Sequence, residues 1–168
     1  MSFFKKLFGG NGKKQDDNKP DINALLSSPD TNNALIEIYD YISKLGDTLD
    51  PLTEPQKNFY YNQELEREIN NGGFSQFFYN SSGDFAHETL TSLRAIGATK
   101  TANILQQAID QFPDSIVPKE RLHRQNILEQ IHDKAGEIWD QLDEKFYKYE
   151  DNLYDLNWGY IKQNRSSF

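Results

Sequence analysis

Residues 68–83 read EINNGGFSQFFYNSSG, the most unusual local sequence in the chain. Asn71-Gly72-Gly73 predicts a sharp turn between two helices, because glycine adopts backbone angles that other residues avoid. The phenylalanines after the turn stand at positions i, i+3 and i+4 of a helix and therefore share one face. We expect that face to plug a hydrophobic core with Phe74, Phe77 and Phe78.

The polar residues of this motif have a structural interpretation that requires no ligand. We expect Gln76, Asn80 and Ser81 to bond backbone groups that the turns leave free. Gly83 is expected to end the segment, and Asp84 is expected to cap the helix that follows.

Sequence on the N-terminal side of the motif has the spacing of helices. Apolar residues predict a helix over 32–45, which Gly46 would end. A second helix is predicted to begin at the N-cap Thr53 and to stop at Gly72-Gly73.

On the C-terminal side, one helix is predicted from Asp84 to Gly97, and the next from Thr99 or Thr101 to Pro113. A long helix follows, and Pro118 suits its first turn. No run alternates between apolar and polar residues as a strand would. The predicted fold is therefore all-α, a compact bundle of about six to eight helices.

The long C-terminal helix is predicted to have two opposite faces. Its apolar stripe should face the core and contains Leu128, Ile131, Ala135, Ile138, Leu142, Phe146 and Tyr149. The opposite face is acidic and carries Asp133, Glu137, Asp140, Glu144 and Asp151. Such a row is either a solvated helix face or a surface on which carboxylates stand in for the phosphates of DNA.

The charge is distributed unevenly along the chain. The formal net charge is −8, but residues 1–20 contain five lysines and two aspartates, so that residues 21–168 carry −11. We therefore predict a flexible basic, Phe-rich tail and linker over 1–20 and a single acidic helical domain over 21–168. The tail carries Phe3, Phe4, Leu7 and Phe8, which would suit weak contact with a membrane surface or a partner groove.

Composition excludes several classes of protein. The chain has no cysteine, which removes disulfides and thiolate chemistry, and no apolar run that is long enough for a transmembrane helix. An acidic body is also unsuited to direct binding of nucleic acid. We expect neither a metal site nor a cofactor, and a cytoplasmic location.

Catalysis is poorly supported by the sequence. His87 is the best candidate, but its neighbour Glu88 faces another direction on a helix, and Asp84 is expected to serve as a cap. Glu64 and Glu68 stand at i and i+4, a spacing that suits weak binding of Mg²⁺ or Ca²⁺ but is more typical of an exposed surface pair. We therefore assign no catalytic residue.

The motif resembles that of a bacterial family of unknown-function domains that contains a DNA-mimic protein. The resemblance depends on Asn71, Gly72, Gly73, Phe74, Gln76, Phe78, Asn80 and Gly83, and on the later Ile96-Gly97-Ala98, and it covers about residues 59–113. It implies an all-helical fold and an acidic homodimer. It also implies a basic protein partner, such as a helix-turn-helix transcription factor whose DNA-binding surface is occupied.

Two classes of function remain open. In the first, the protein is a non-catalytic acidic interaction domain, a DNA mimic or an immunity-type inhibitor, that binds through Asp133, Glu137, Asp140, Glu144 and Asp151. In the second, it is a peripheral adaptor that its N-terminal tail attaches to a membrane or a partner. A hydrolase is the weakest alternative.

Overall fold

The protein was analysed as a computed structural model that describes residues 19–45 and 48–168. Most of the predicted tail, residues 1–18, and the predicted helix-ending Gly46 lie outside the described residues. Within them the chain forms seven α-helices and no strand, which confirms the all-α prediction. The α-helices are α1 (Ile22–Leu26), α2 (Thr31–Lys44), α3 (Glu54–Tyr79), α4 (Ala86–Ala95), α5 (Thr99–Ile109), α6 (Arg121–Phe146) and α7 (Leu153–Gln163). Short 3₁₀ turns follow α3, α5 and α7 at Ser81–Phe85, Pro113–Ser115 and Arg165–Ser167.

Helix α3 is the central element, and local sequence specifies both its start and its kink. Thr53 caps it in a capping box with Gln56, in which each side chain bonds the other residue's backbone. Gly72 (φ −163°, ψ 23°) and Gly73 (φ 71°, ψ −172°) leave helical geometry inside the helix. The predicted turn at Gly72-Gly73 is thus a kink that divides α3 into two segments.

The two segments of α3 contribute to two hydrophobic clusters. The second segment inserts Phe74, Phe77 and Phe78, all fully buried as predicted, into the larger cluster beside α4, α5 and α6. Phe78 lies with its ring centroid 5.2 Å from that of Trp139 on α6. The first segment places Phe59 in a smaller cluster with residues of α1, α2 and α7. Because α3 belongs to both clusters, it holds the N-terminal helices against the rest of the bundle.

Two predicted helix starts are wrong. Phe85, not Asp84, is the N-cap residue of α4, and it makes no capping hydrogen bond through its side chain. Pro118 lies before α6, whose N-cap is Glu120; the Glu120 carboxylate accepts hydrogen bonds from the amides of Leu122 and His123. Of these two helices, only α6 thus has a side-chain cap, and it comes from a glutamate that the local pattern did not single out.

The predicted apolar stripe also runs too far. Helix α6 ends at Phe146, and Tyr149 lies beyond it with φ 46° and an exposed side chain. Because the chain changes direction there, residues after 146 no longer follow the helical period of α6.

Candidate functional site

The exposed face of α6 is acidic. Asp133, Glu137, Asp140 and Glu144 are all exposed, whereas Trp139 and other residues of the opposite face are buried. Among the residues that the structure describes, none of these four carboxylates takes part in an ion pair or a hydrogen bond to another side chain. Their charges therefore face solvent without a neutralising cation in the described part of the chain.

A fifth residue belongs to this face and was missed from the sequence. Glu129 stands one turn before Asp133, is exposed, and likewise has no ion-pair partner among the described residues. The i, i+4 spacing that placed the other residues would have found it. We call Glu129, Asp133, Glu137, Asp140 and Glu144 the acidic row; at 1.5 Å per residue it extends over about 22 Å.

Asp151, by contrast, does not lie on the row. Since α6 ends at Phe146, the helical spacing that joined Asp151 to Glu144 no longer applies. Its carboxylate instead accepts a hydrogen bond of 2.7 Å from the backbone amide of Thr101, in the first turn of α5. This bond satisfies one of the amides that a helix start leaves free.

A depression lies next to the acidic row, and one of its lining residues, Asp143, also contacts the segment that follows the glycine kink. Asp140, Asp143, Glu144 and Tyr147 line this space of about 460 Å³. Asp143 is half-buried, and its carboxylate accepts a hydrogen bond of 2.9 Å from the amide of Phe74. Burial raises the pKa of Asp143 to about 6; the hydrogen bond from Phe74 opposes this shift, and the nearby charges of Asp140 and Glu144 add to it. The raised pKa therefore reflects mainly the burial of Asp143, to which the negative charges at this end of the row contribute.

The pair Glu64 and Glu68 is buried, so its prediction as an exposed surface pair is wrong. Glu64 is 8% exposed and Glu68 is 2% exposed. Arg67 bridges them, with its Nη2 atom 2.6 Å from Glu64 Oε2 and 2.7 Å from Glu68 Oε1. Ser82 donates to both carboxylates and Tyr39 donates to Glu64. Within the described ranges, no group of three or more His, Asp or Glu residues is placed to hold a metal ion.

The polar residues of the motif serve this buried pair instead of the backbone. Gln76 Nε2 and Asn80 Nδ2 donate to Glu68 Oε2 over 2.7 and 2.9 Å. The expectation that they bond free backbone groups is therefore wrong. Asn71 Nδ2 donates to Gln76 Oε1 over 3.3 Å and so supports the same network. Sequence spacing did not reveal this arrangement, because the kink at Gly72-Gly73 is what brings Gln76 back towards Glu68.

Arg124 is a structural centre that sequence reasoning missed. Its side chain is fully buried and donates to the carbonyls of Phe78, Pro118, Lys119 and Asn80, and to the carboxylate of Asp84 at 2.6 Å. A Cβ at Gly83 would lie 2.9 Å from the Arg124 Nε atom and from two backbone oxygens, so the glycine provides necessary space.

His87, the candidate for catalysis, has a structural partner. Its Nε2 atom accepts a hydrogen bond of 3.1 Å from the backbone amide of Val117. Asp84, three residues before His87, accepts a hydrogen bond from Arg124. The arrangement ties α4 to the segment before α6 and brings no acid–base pair together at His87.

Within residues 19–45 and 48–168, none of the helices has both the length and the apolar character that a membrane span requires.

Comparison with known proteins identifies a family. The family model described as DMP19-like protein matches residues 50–164, which is more than half of the chain. The matched range includes the whole of α3 and α6 and extends beyond the region that carried the resemblance. Searches of curated proteins and of solved structures returned no match. The chain therefore belongs to the DMP19-like protein family, a family of DNA mimics.

Proposed function

We propose that the protein is a non-catalytic interaction domain that binds a basic, DNA-binding protein through the acidic row of α6. The observation that carries this proposal is the exposure of five carboxylates on one rigid helix without cationic partners among the described residues. Membership of the DMP19-like family supports it. A helix-turn-helix transcription factor is the kind of partner that we expect.

The spacing of the row is compatible with a surface that replaces part of a DNA strand. Successive carboxylates of the row lie about 4.5–6 Å apart along the helix axis, since they are three or four residues apart. A single DNA strand presents one phosphate per about 3.4 Å of axis. The row is therefore sparser than DNA, and the neighbouring Asp143 adds a further carboxyl group at the end where Asp140 and Glu144 lie.

A charge-dependent interface predicts how the complex should respond to salt and to DNA. Charged groups across an interface steer association and lose influence as salt screens them. Binding to the basic partner should therefore weaken steeply with ionic strength. Duplex DNA should compete, because both would occupy the same basic surface of the partner.

The test is affinity capture with the full chain and two matched variants. One variant replaces Asp133, Glu137, Asp140 and Glu144 by their neutral amides. The control makes the same change at four exposed acidic residues outside the row, which are Glu37, Asp40, Asp50 and Asp110. We expect the wild type and the control to retain a basic, DNA-displaceable partner and the row variant to lose it. Equal capture by the two variants would refute the role of the row.

Homodimer formation and a cytoplasmic location stay predictions, as does the immunity-type variant of the same interaction. The adaptor hypothesis rests on the N-terminal tail, whose residues 1–18 lie outside the described residues. Removal of residues 1–8 separates the hypotheses, because binding through the acidic row should survive it and attachment through the tail should not.

A further inference from the structure

A second candidate site lies between α3 and α4. It is a cleft of about 1030 Å³, and its lining contains no residue of the acidic row. Aromatic rings from Tyr60, Tyr61 and Phe85 contribute to the lining together with acidic side chains that include Glu54 and Glu88. The cleft thus combines aromatic surface with carboxylates, and the proposed interaction through α6 leaves it unexplained.

The aromatic rings form a continuous group. The ring centroids of Tyr61 and Phe85 are 5.3 Å apart, and those of Tyr60 and Tyr61 are 6.3 Å apart. The face of an aromatic ring is electron-rich and attracts cations, and its carbon surface also packs against aliphatic chains. A ligand that carries both ammonium and methylene groups matches this surface.

Two carboxylates border the same rings. Burial raises the pKa of the Tyr61 hydroxyl to about 12, and the negative charges of Glu88 and Glu54 contribute to that increase. Both carboxylates line the cleft together with Tyr61, one at the start of α3 and the other on α4. The side chain of Glu54 is 80% exposed, so that it remains accessible although it pairs with Lys57.

Glu88 has unused hydrogen-bonding capacity. Its Oε1 atom pairs with the ammonium group of Lys119, while its Oε2 atom is buried and has no hydrogen-bond partner in the described part of the chain. A buried oxygen without a donor is unfavourable, and a carboxylate gains most from a donor that is charged. The carboxylate of Glu88, which lines the cleft, therefore has acceptor capacity beyond its pair with Lys119.

Lys119 shows what kind of group the cleft accommodates beside Glu88. Its Nζ atom lies 5.9 Å from the centroid of the Phe85 ring while it pairs with Glu88. The side chain is otherwise 64% exposed, so it can move away at little cost. An ammonium group from within the chain thus occupies the position that a ligand ammonium would take.

We propose that the cleft between α3 and α4 binds a small aliphatic diamine in its diammonium form. One ammonium group would replace Lys119 at Glu88, the methylene chain would cross Tyr61 and Phe85, and the second ammonium group would contact Glu54. The inference is independent of the proposed function, because it involves neither the acidic row nor a protein partner.

The test is calorimetric titration of the full chain at low ionic strength with putrescine, and with butylamine as the matched monoamine. We expect saturable binding of putrescine that is tighter than that of butylamine. Glu88→Gln should weaken putrescine binding about two- to fivefold, the range of a partly exposed ion pair. Glu137→Gln, which removes one charge from the acidic row, is the control and should bind putrescine like the wild type.

A second variant keeps the proposal falsifiable if Glu88→Gln disturbs the fold. Lys119→Met removes the competing ammonium group and should tighten putrescine binding about two- to fivefold. The absence of saturable binding, equal affinity for butylamine, or weaker binding by Lys119→Met would overturn the proposal. Binding of a lysine-rich peptide without binding of putrescine would likewise overturn it and would assign the cleft to a protein segment.

Discussion

The carboxylate of Asp143 accepts a hydrogen bond of 2.9 Å from the backbone amide of Phe74, and so joins α6 to the segment of α3 that follows the glycine kink. The same carboxylate would lie 2.1 Å from a Cβ at position 73. The amide is available because Gly72 and Gly73 leave helical geometry just before it. The kink and the acidic side of α6 are therefore one structural unit.

Gly73→Ala should destabilise the protein. The backbone at Gly73 (φ 71°, ψ −172°) is in a region that is essentially restricted to glycine, and the new Cβ would collide with Asp143. We expect a loss of about 2–4 kcal/mol, from about 1–3 kcal/mol of backbone strain together with the contact. Urea denaturation measures the change.

The control for this substitution is Gly136→Ala. Gly136 lies inside α6, and a Cβ there would meet no atom within 4 Å among those described. It should stabilise the protein by about 0.5–1 kcal/mol, because alanine favours the helix. Similar effects of the two substitutions would contradict the special role of position 73.

Asp143 should give stability a characteristic dependence on pH. Its pKa in the folded protein is about 6, above the ordinary value of 3.8, so the folded state binds the proton more tightly than the unfolded state. The contribution of this group is therefore fully present below pH 3.8 and is lost as the pH rises through about 6. Asp143→Asn keeps an oxygen acceptor for Phe74 and should remove this loss.

The measurement is the free energy of unfolding of the wild type and of Asp143→Asn across this range of pH. The stability of the variant relative to the wild type should increase as the pH rises. Asp133→Asn, on the exposed part of the acidic row, is the control and should show no such trend. If the free energies of unfolding of Asp143→Asn and the wild type differ by the same amount at every pH, the pKa of Asp143 is not raised in the folded protein.

Arg124→Met should be strongly destabilising, because it leaves the carboxylate of Asp84 and four backbone carbonyls without their donor. Removal of one member of a buried ion pair costs about 3–5 kcal/mol. Arg121→Met is the matched control, since Arg121 is exposed and makes one hydrogen bond of 3.3 Å to Tyr79. It should change the melting temperature little; an equal decrease for both would exclude a special role for Arg124.

Glu68→Gln should destabilise the buried network, although glutamine has nearly the same size and shape as glutamate. One oxygen that accepts bonds becomes an NH₂ group that faces the donors of Gln76, Asn80 or Arg67. Each buried donor that is left unsatisfied costs about 1–3 kcal/mol. Thermal unfolding should therefore occur at a lower temperature than in Glu129→Gln, the exposed control, and identical temperatures would argue against the network.

Glu129→Gln provides a separate test of the extent of the acidic row. If the row binds a basic partner as proposed, this substitution should weaken binding about as much as Glu137→Gln, and by less at high salt. Glu150→Gln should have little effect, because Glu150 is outside the row and pairs with Lys100 over 2.9 Å. Surface plasmon resonance measures the affinity for the partner. If Glu129→Gln leaves this affinity unchanged, Glu129 is not part of the binding surface.

Most of the fold could be predicted from the sequence because helix formation depends on neighbours along the chain. The N-cap Thr53 and the glycine kink are local features, and both lie where the pattern placed them. Helical period predicted four of the five members of the acidic row, all except Glu129. The prediction failed for Asp151, because the change of direction after Phe146 depends on packing and not on period.

The sequence by itself therefore determined the all-helical character of the chain, the aromatic core around Phe74, Phe77 and Phe78, and the acidity of one face of α6. Only the tertiary structure decided which carboxylates remain available. Glu64 and Glu68 have the same i, i+4 spacing as Asp133 and Glu137, yet the first pair is buried and bridged by Arg67, whereas the second faces solvent. The difference arises because the electrostatic state of a side chain depends on the elements packed against its helix, and helical period does not specify those elements.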